Sequence, residues 1–333
     1  MTESLESKRI SVVTACYDEE ENVEELYRQV RAVFLGLPGY RYEHIFIDNA
    51  SKDRTVEILT GIAKNDPNVT IIVNTRNFGH IRSPFHGLMQ ATGDAVVNIV
   101  ADLQDPPAMI ADFVRKWEDG YKIVIGVKTK SEEPAMIFSI RKLYYSLIGS
   151  LSDVDLIKNF TGFGLYDKNV IDTLRTVHDS YPYLRGLICE VGFDRAVIEY
   201  VQPSRKRGRT KNNFYTLYDM AMLGITNHSK IPLRLATMTG FAVAIVSLLV
   251  AAGYFLYKLV FWNKFQVGIA PLVIGLFFFS AVQLFFVGVI GEYVGAIHTQ
   301  VLRRFLVVEK ERIHFDQAES VRELKDRGSG PLI

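Results

Sequence analysis

Three short stretches of this chain gather oxygen-bearing side chains that could hold a divalent cation or a polar ligand. They read Ala15-Cys16-Tyr17-Asp18-Glu19-Glu20-Glu21-Asn22, Asp48-Asn49-Ala50-Ser51-Lys52-Asp53-Arg54-Thr55 and Val100-Ala101-Asp102-Leu103-Gln104-Asp105-Pro106-Pro107. Asp102, Gln104 and Asp105 stand where oxygen ligands for Mg²⁺ would be wanted, and Mg²⁺ needs only one or two protein carboxylates when substrate phosphates supply the rest. On spacing alone, ordinary turn and capping chemistry before a Pro-initiated helix outweighs that reading. Asn22 and Asp53 read as helix N-caps, and Glu19 to Glu21 would favour the positive end of the following helix. Asp48 precedes its turn and is harder to explain in that way. The two cysteines, Cys16 and Cys189, are isolated and read as reduced, buried hydrophobes. His80 and His86 lie near the acidic stretches, but with no paired carboxylate pattern they read as loop or core histidines, as do His44, His298 and His314.

These stretches fall at the ends of strands. Residues 10 to 127 alternate strand-like and helix-like patterns: strands at 10–14, 42–47, 70–73, 95–100 and 121–127, with helices near 23–34, 55–63, 83–90 and 107–117. That alternation predicts an α/β domain with a mainly parallel sheet covered on both faces, whose ligands bind at the C-terminal ends of the strands. Beyond Lys128 the pattern predicts a helix around 138–151, strands at 163–166 and 196–201, and a short helix near 169–176.

The chain's 48% hydrophobic content is high for a soluble protein, and the excess sits near the C-terminus. Leu235 to Tyr257 and Val267 to Gly291 carry no charged residue. Each is longer than the roughly 20 apolar residues that cross a hydrocarbon core. Their short connection makes them a hairpin, so the soluble domain and the tail share one face. Arg205, Lys206, Arg207, Arg209, Lys211, Lys230 and Arg234 before the first span, with Arg303 and Arg304 after the second, place that face and both termini in the cytoplasm. Residues 1–8 are polar and short, unlike a cleavable signal peptide. The expected organisation is a domain over 1–213, a juxtamembrane amphipathic helix over 214–230, two spans (234–258 and 267–291) within 231–300, and a cytoplasmic tail over 301–333 to which no function is assigned. With 38 basic residues against 37 acidic ones, the charge balance gives no reason to expect nucleic acid as a partner.

Taken together and in order, the motifs resemble the GT-A domain of glycosyltransferase family 2, and in particular its polyprenyl-phosphate glycosyltransferases. The resemblance rests on Tyr17 to Asn22, Asp48 to Thr55, Arg76-Asn77-Phe78-Gly79, Thr92-Gly93-Asp94, Asp102 to Pro107 and Gly208-Arg209-Thr210-Lys211. It continues through Gly224-Ile225-Thr226, Pro232 to Ala236 and Gly288 to Gly295, covering about Ile10 to Arg304. It implies a Rossmann-like cytoplasmic domain followed by a two-helix transmembrane hairpin. By this likeness a UDP-sugar is held by Ala15, Tyr17, Glu19, Asp48, Asp94, Asp102, Arg205 and Lys211, with Asp102 and Gln104 on Mg²⁺ or Mn²⁺. Lys128 and Arg141 fall where the family grips the acceptor phosphate. Arg205 to Lys211 also read as a polybasic strip attracted to anionic lipid.

The implied reaction passes a hexose, glucose being the family's commonest bacterial case, to polyprenyl (undecaprenyl) phosphate with inversion. Because a phosphate monoester is largely ionised at neutral pH, the nucleophile hardly needs a base. If a carboxylate orients the acceptor, Asp155 or Asp153 is the nearest candidate. The sequence departs from the family pattern at Val100, where a carboxylate is usual, at Lys128, where Arg is common, and at Gly164, in the place of a frequent Arg. Two other readings stay open: a catalytically silent nucleotide-sugar-binding scaffold, and a subunit of a processive polysaccharide synthase whose channel would need a homo-oligomer.

Overall fold

The computed structural model describes residues 7–130, 157, 159–203, 222, 231–261, 269–302 and 304–314. The chain divides into two compact units, one made of residues 1–139, 156–211 and 302–333, the other of 140–155 and 212–301.

The first unit is built on one eight-stranded mixed sheet. In chain order its elements are β1 (Arg9–Cys16), α1 (Val23–Leu35), β2 (Arg41–Asp48), α2 (Thr55–Ala63), β3 (Val69–Asn74), α3 (Gly79–Met89), β4 (Ala95–Val100), α4 (Met109–Glu118) and β5 (Ile123–Lys130). There follow β6 (Phe160–Asp167), α5 (Lys168–Arg175), α6 (Leu184–Glu190), β7 (Arg195–Val201) and, after the second unit, β8 (Glu309–Ile313). The strand order is β7-β5-β6-β4-β1-β2-β3-β8. The expected parallel pairings are present between β1 and β2, β1 and β4, and β2 and β3, and β7 adds another beside β5. β6 runs antiparallel between β4 and β5, and β8 antiparallel to β3, so the sheet is mixed.

Side-chain periodicity explains why both faces are covered. In β1, Ile10 and Val12 enter one core and Val13 the other, as the two-residue period of a strand requires. One core takes the apolar stripes of α1, α2 and α4, such as Val23, Leu26 and Val30 at helical spacing; the other takes those of α3, α5 and α6. The central strands are buried on both faces, which is why they read as near-continuous Val and Ile runs. Neither α6 nor β8 was expected. β8 lies in the charged tail to which the sequence assigned no role, and only one of its five side chains, Ile313, is apolar. Its pairing is secured by His86 Nε2 meeting Glu309 Oε1 at 2.5 Å, with Arg312 reaching both Glu309 and Gln90. His86 is thus half-buried with a carboxylate partner, where a loop or core role was expected.

Gly164 shows that one departure from the family pattern is a packing requirement. It lies in β6, and a Cβ there would sit 2.4 Å from the Val124 carbonyl oxygen. An arginine has no place at this position, so Gly164 says nothing for a silent scaffold.

The second unit contains α7 (Ile231–Val260) and α8 (Ile269–Val301), which touch each other. Each holds a stretch long and apolar enough to cross a membrane, 231–257 and 274–301, both with mean hydropathy 2.2. Phe241, Leu248, Phe255, Phe277 and Leu284 are among many large apolar side chains left exposed, an arrangement that water penalises and hydrocarbon does not.

His44 is wholly buried, bonded through Nε2 to Thr14 Oγ1 at 3.0 Å, and burial lowers its pKa to about 3 against a weaker opposing pull from Asp66. The unfolded chain therefore takes up a proton below pH 6.5 that the folded chain refuses, and stability is complete above that pH and declines below it. Asp105, pushed up to about 6, works in the opposite direction, so the informative quantity is the difference between wild type and His44→Asn. Urea unfolding in detergent, followed by tryptophan fluorescence, should show that difference changing by about 2 kcal/mol between pH 7 and pH 5; a constant difference would refute it. In the same assay Gly164→Ala should cost about 3 kcal/mol or prevent folding. Gly61→Ala, in α2 with open space around its Cβ, should stabilise by about 0.5–1 kcal/mol.

Candidate functional site

The registers of the three central strands place their C-terminal residues side by side, with Ala15 opposite Val100 and Cys16 opposite Asp48. Asp48 and the turn after Val100 are therefore two strand spacings apart, about 10 Å, which suits a ligand laid across the edge of the sheet. Lys128 reaches the same edge near the end of β5. Asp48, Asp102, Gln104 and Lys128 are thus brought to one edge, together with the loop of Tyr17 and Glu19.

Asp94 is not. It precedes β4, at the opposite end of the strand, where its carboxylate accepts the Arg9 backbone N–H at 2.8 Å. β4 has six residues, so about 20 Å separates Asp94 from the edge that holds Asp102. Its role is to tie two strand starts together. Arg141, Asp153, Asp155, Arg205 and Lys211 lie outside the described residues.

Asp48 is fully buried and accepts the Ser51 N–H at 2.9 Å and the Ser51 hydroxyl. Burial raises its pKa, and the two bonds from Ser51 pull it back. This turn holds Ala50 at φ +63°, a left-handed conformation that glycine adopts without strain and alanine does not. It interlocks with the loop after β1: Asp18 N–H donates to Ser51 Oγ, Lys52 N–H to Asp18 Oδ1, Glu19 N–H to Thr55 Oγ1 and Glu20 N–H to Asp53 Oδ2, at 2.8 to 3.1 Å. Asp53 also accepts the Thr55 N–H, so its expected structural use holds, although Arg54 occupies the N-cap position. Asn22 occupies the N-cap of α1 but makes no capping bond; its amide donates to Glu19 Oε2 at 2.7 Å.

Sequence reasoning passed over Asn49, which the structure makes a hub. Its oxygen accepts from Asn74 Nδ2 at 3.1 Å and from the Phe78 N–H at 2.8 Å, while its amide donates to Asn77 Oδ1 at 3.0 Å and the Gly79 carbonyl at 3.2 Å. All four bonds an asparagine side chain can make are used here. They fix residues 77–79, where Gly79 turns the chain into α3 at φ +88°. Arg76, the first residue of the Arg76-Asn77-Phe78-Gly79 motif, lies 4.1 Å over the Phe78 ring and donates to the Asn77 carbonyl at 3.2 Å.

The third stretch forms a tight turn. Leu103 takes φ +59° and packs its side chain against the core, while Asp102 Oδ1 accepts the Gln104 N–H at 3.1 Å. Asp105 points the other way: it is 2% exposed and accepts the Tyr200 hydroxyl at 2.6 Å. Burial pushes its pKa up to about 6, while Tyr200 and the Lys128 charge hold it down. Val100, where the family has a carboxylate, is 40% exposed at the lip of this turn. No group of three or more His, Cys, Asp or Glu side chains able to hold a metal occurs among the described residues. An ion here would rely on Asp102 and Gln104 with oxygens from the ligand, a donor set that fits Mg²⁺ or Mn²⁺ beside a diphosphate.

Comparison with known proteins identifies the family. Residues 11–174 match the model of glycosyl transferase family 2. The chain is 33% identical to an uncharacterised glycosyltransferase, YkcC, of Bacillus subtilis over 92% of its own length and 97% of the relative's. It is 34% identical to the SfII prophage-derived bactoprenol glucosyl transferase of Shigella flexneri over 89% of its own length and 96% of the relative's. Among solved structures, glucosyl-3-phosphoglycerate synthase from Mycobacterium tuberculosis aligns with a TM-score of 0.47 at 18% identity, covering 66% of this chain and 76% of that one. With relatives above 30% identity along nearly its whole length, the chain belongs to glycosyltransferase family 2 and is a glycosyltransferase.

Proposed function

We propose that this protein transfers a hexose, glucose in our reading, from a UDP-sugar to polyprenyl (undecaprenyl) phosphate at the cytoplasmic face of a bacterial membrane, with inversion. The observation that carries this reading is the meeting of Asp48, Asp102, Gln104 and Lys128 at one edge of the sheet, in a chain that also has two long apolar helices. The relatives named as bactoprenol glucosyl transferases support the lipid acceptor.

In this reading Asp48 and the backbone about Ala15 and Tyr17 hold the uridine, with Glu19 buttressing their loop. Asp102 and Gln104 would hold Mg²⁺ or Mn²⁺, which when bound would neutralise charge on the departing diphosphate. Arg205 and Lys211 would assist at the same diphosphate. Lys128 and Arg141 would offset the acceptor's charge and orient its phosphate, with Asp155 a further candidate for orientation. An acceptor phosphate oxygen forms a bond to the anomeric carbon as that carbon's bond to the UDP β-phosphate oxygen breaks, and the electron pair leaves with UDP. The acceptor arrives ionised, so positioning and charge stabilisation carry most of the barrier reduction.

The two long apolar helices would serve as a membrane anchor; Phe214, Tyr215 and Tyr218, aromatic residues suited to a headgroup region, lie outside the described residues. That β8 joins the same sheet as the strands preceding the hairpin supports an even number of crossings, since the chain leaves and re-enters one unit. The basic residues flanking the hairpin support a cytoplasmic location for that unit.

The direct test incubates the purified protein with Mg²⁺, radiolabelled UDP-glucose and undecaprenyl phosphate. Labelled lipid whose sugar has the opposite anomeric configuration to the donor is expected; retention would refute the single displacement, and no labelled lipid with any of several donors would favour the scaffold. Asp102→Ala should lower transfer by about 10²–10³-fold with the fold intact by circular dichroism. Asn49→Asp keeps both acceptor functions but faces Asn77 Oδ1 and the Gly79 carbonyl with oxygen instead of an amide. It should cost about 2–3 kcal/mol and weaken UDP binding by calorimetry; unchanged stability and affinity would refute the hub role.

A further inference from the structure

Tyr200 lies in β7, on the far side of the sheet from Asp48, and no motif marks it. Its surroundings are nevertheless arranged around its hydroxyl. Tyr200 pairs in register with Lys128 across β5 and β7. Its ring stands edge-on to Phe163, which in turn stands edge-on to Phe113. A Cβ on Gly126 would meet Phe163 at 2.9 Å and the Tyr200 ring at 3.2 Å, so the absence of a side chain at 126 makes room for this packing. The ring is fixed, and the hydroxyl has one direction to point. It donates to Asp105 Oδ1 at 2.6 Å.

Asp105 is the residue immediately after Gln104 and is nearly out of contact with water. A carboxylate so placed needs a donor to remain where it is. Whatever holds Asp105 also fixes the C-terminal side of the turn that presents Asp102 and Gln104, because Pro106 and Pro107 stiffen the chain directly behind it.

We propose that Tyr200 is a positioning residue for the metal-binding turn: by holding Asp105 from β7, it sets Asp102 and Gln104 at the height of Lys128 on the neighbouring strand. Tyr200 touches neither substrate nor metal in this arrangement. Its effect is to join the turn after β4 to the strand that carries Lys128, so that the donor's diphosphate and the acceptor's phosphate are presented at a fixed separation. This rests on Asp102 and Gln104 being the metal ligands.

The test uses the full chain in detergent and reads binding apart from turnover. Tyr200→Phe keeps the ring and its packing and removes only the hydroxyl. Electron paramagnetic resonance titration with Mn²⁺ in the presence of UDP should show affinity reduced about tenfold, as expected for loss of a hydrogen bond to a charged group. UDP affinity in EDTA should stay within twofold of wild type. Mn²⁺ affinity within twofold of wild type in Tyr200→Phe would overturn the proposal, as would an equal loss of UDP affinity in EDTA, which signals general loosening. Hydrogen exchange judges the turn independently of metal: residues 100–105 should exchange faster in Tyr200→Phe while residues 41–48 do not, and unchanged exchange at 100–105 overturns the positioning role. Failure of the metal reading itself would appear differently, as no bound Mn²⁺ in the wild-type protein.

Discussion

The constraint on which the site depends is the parallel register of β4, β1 and β2. Parallel strands joined by helical crossovers deliver their loops to one edge, and here the ladder sets Ala15 against Val100 and Cys16 against Asp48. Because these strands are buried on both faces, a slip of one residue would move every Val and Ile into the wrong core. The hydrophobic pattern that secures the fold therefore also secures the spacing between Asp48 and Asp102. No contact between the loops is needed to establish that spacing, which is a property of the sheet.

What the loops add is a division of labour among carboxylates that look alike. Asp53, Asp18 and Glu20 spend their oxygens on backbone N–H groups of the facing loop, and Asp94 spends its own at the far end of β4. Asp105 is taken by Tyr200. Asp102 accepts the Gln104 N–H within its own turn and is half-buried, two residues on from the exposed Val100. A turn with a left-handed Leu103 holds that arrangement, with the leucine side chain anchored in the core so that its neighbours face outward. Local strain of this kind persists only where surrounding structure fixes it, and the core contact of Leu103 and the buried Asp105 on either side of Gln104 do so.

Most of the fold was legible because periodicity is a local signal. The expected helix near 55–63 and strand at 95–100 coincide with α2 and β4, and the two apolar runs are the two long helices. What escaped notice has partners far away in the sequence. Asn49 looks like any turn residue until Asn74, Asn77 and Gly79 arrive around it, and Tyr200 looks like a strand aromatic until Asp105, 95 positions away, accepts a hydrogen bond from its hydroxyl. β8 lacked an apolar alternation, since it is an edge strand whose side chains are largely charged, as edges exposed to water tend to be. Asp94 and Gly164 show the converse. Both were read through family patterns, and the structure gives each a local reason: a backbone tie for Asp94 and a carbonyl 2.4 Å from any added Cβ for Gly164.

The position of β8 also bears on how the sheet is closed. β7 ends at Val201 and β8 begins at Glu309, so pairing β8 with β3 closes a very long loop. For a flexible chain the entropy of such closure grows only with the logarithm of loop length, yet it must be offset by a strand of five residues. Part of that offset comes from side chains. The Glu309 carboxylate meets His86 on α3, the helix whose first turn is set by Asn49, and Arg312 reaches Gln90 at the end of the same helix. β8, for all its charge, is thus fastened both to β3 and to a helix that covers the sheet.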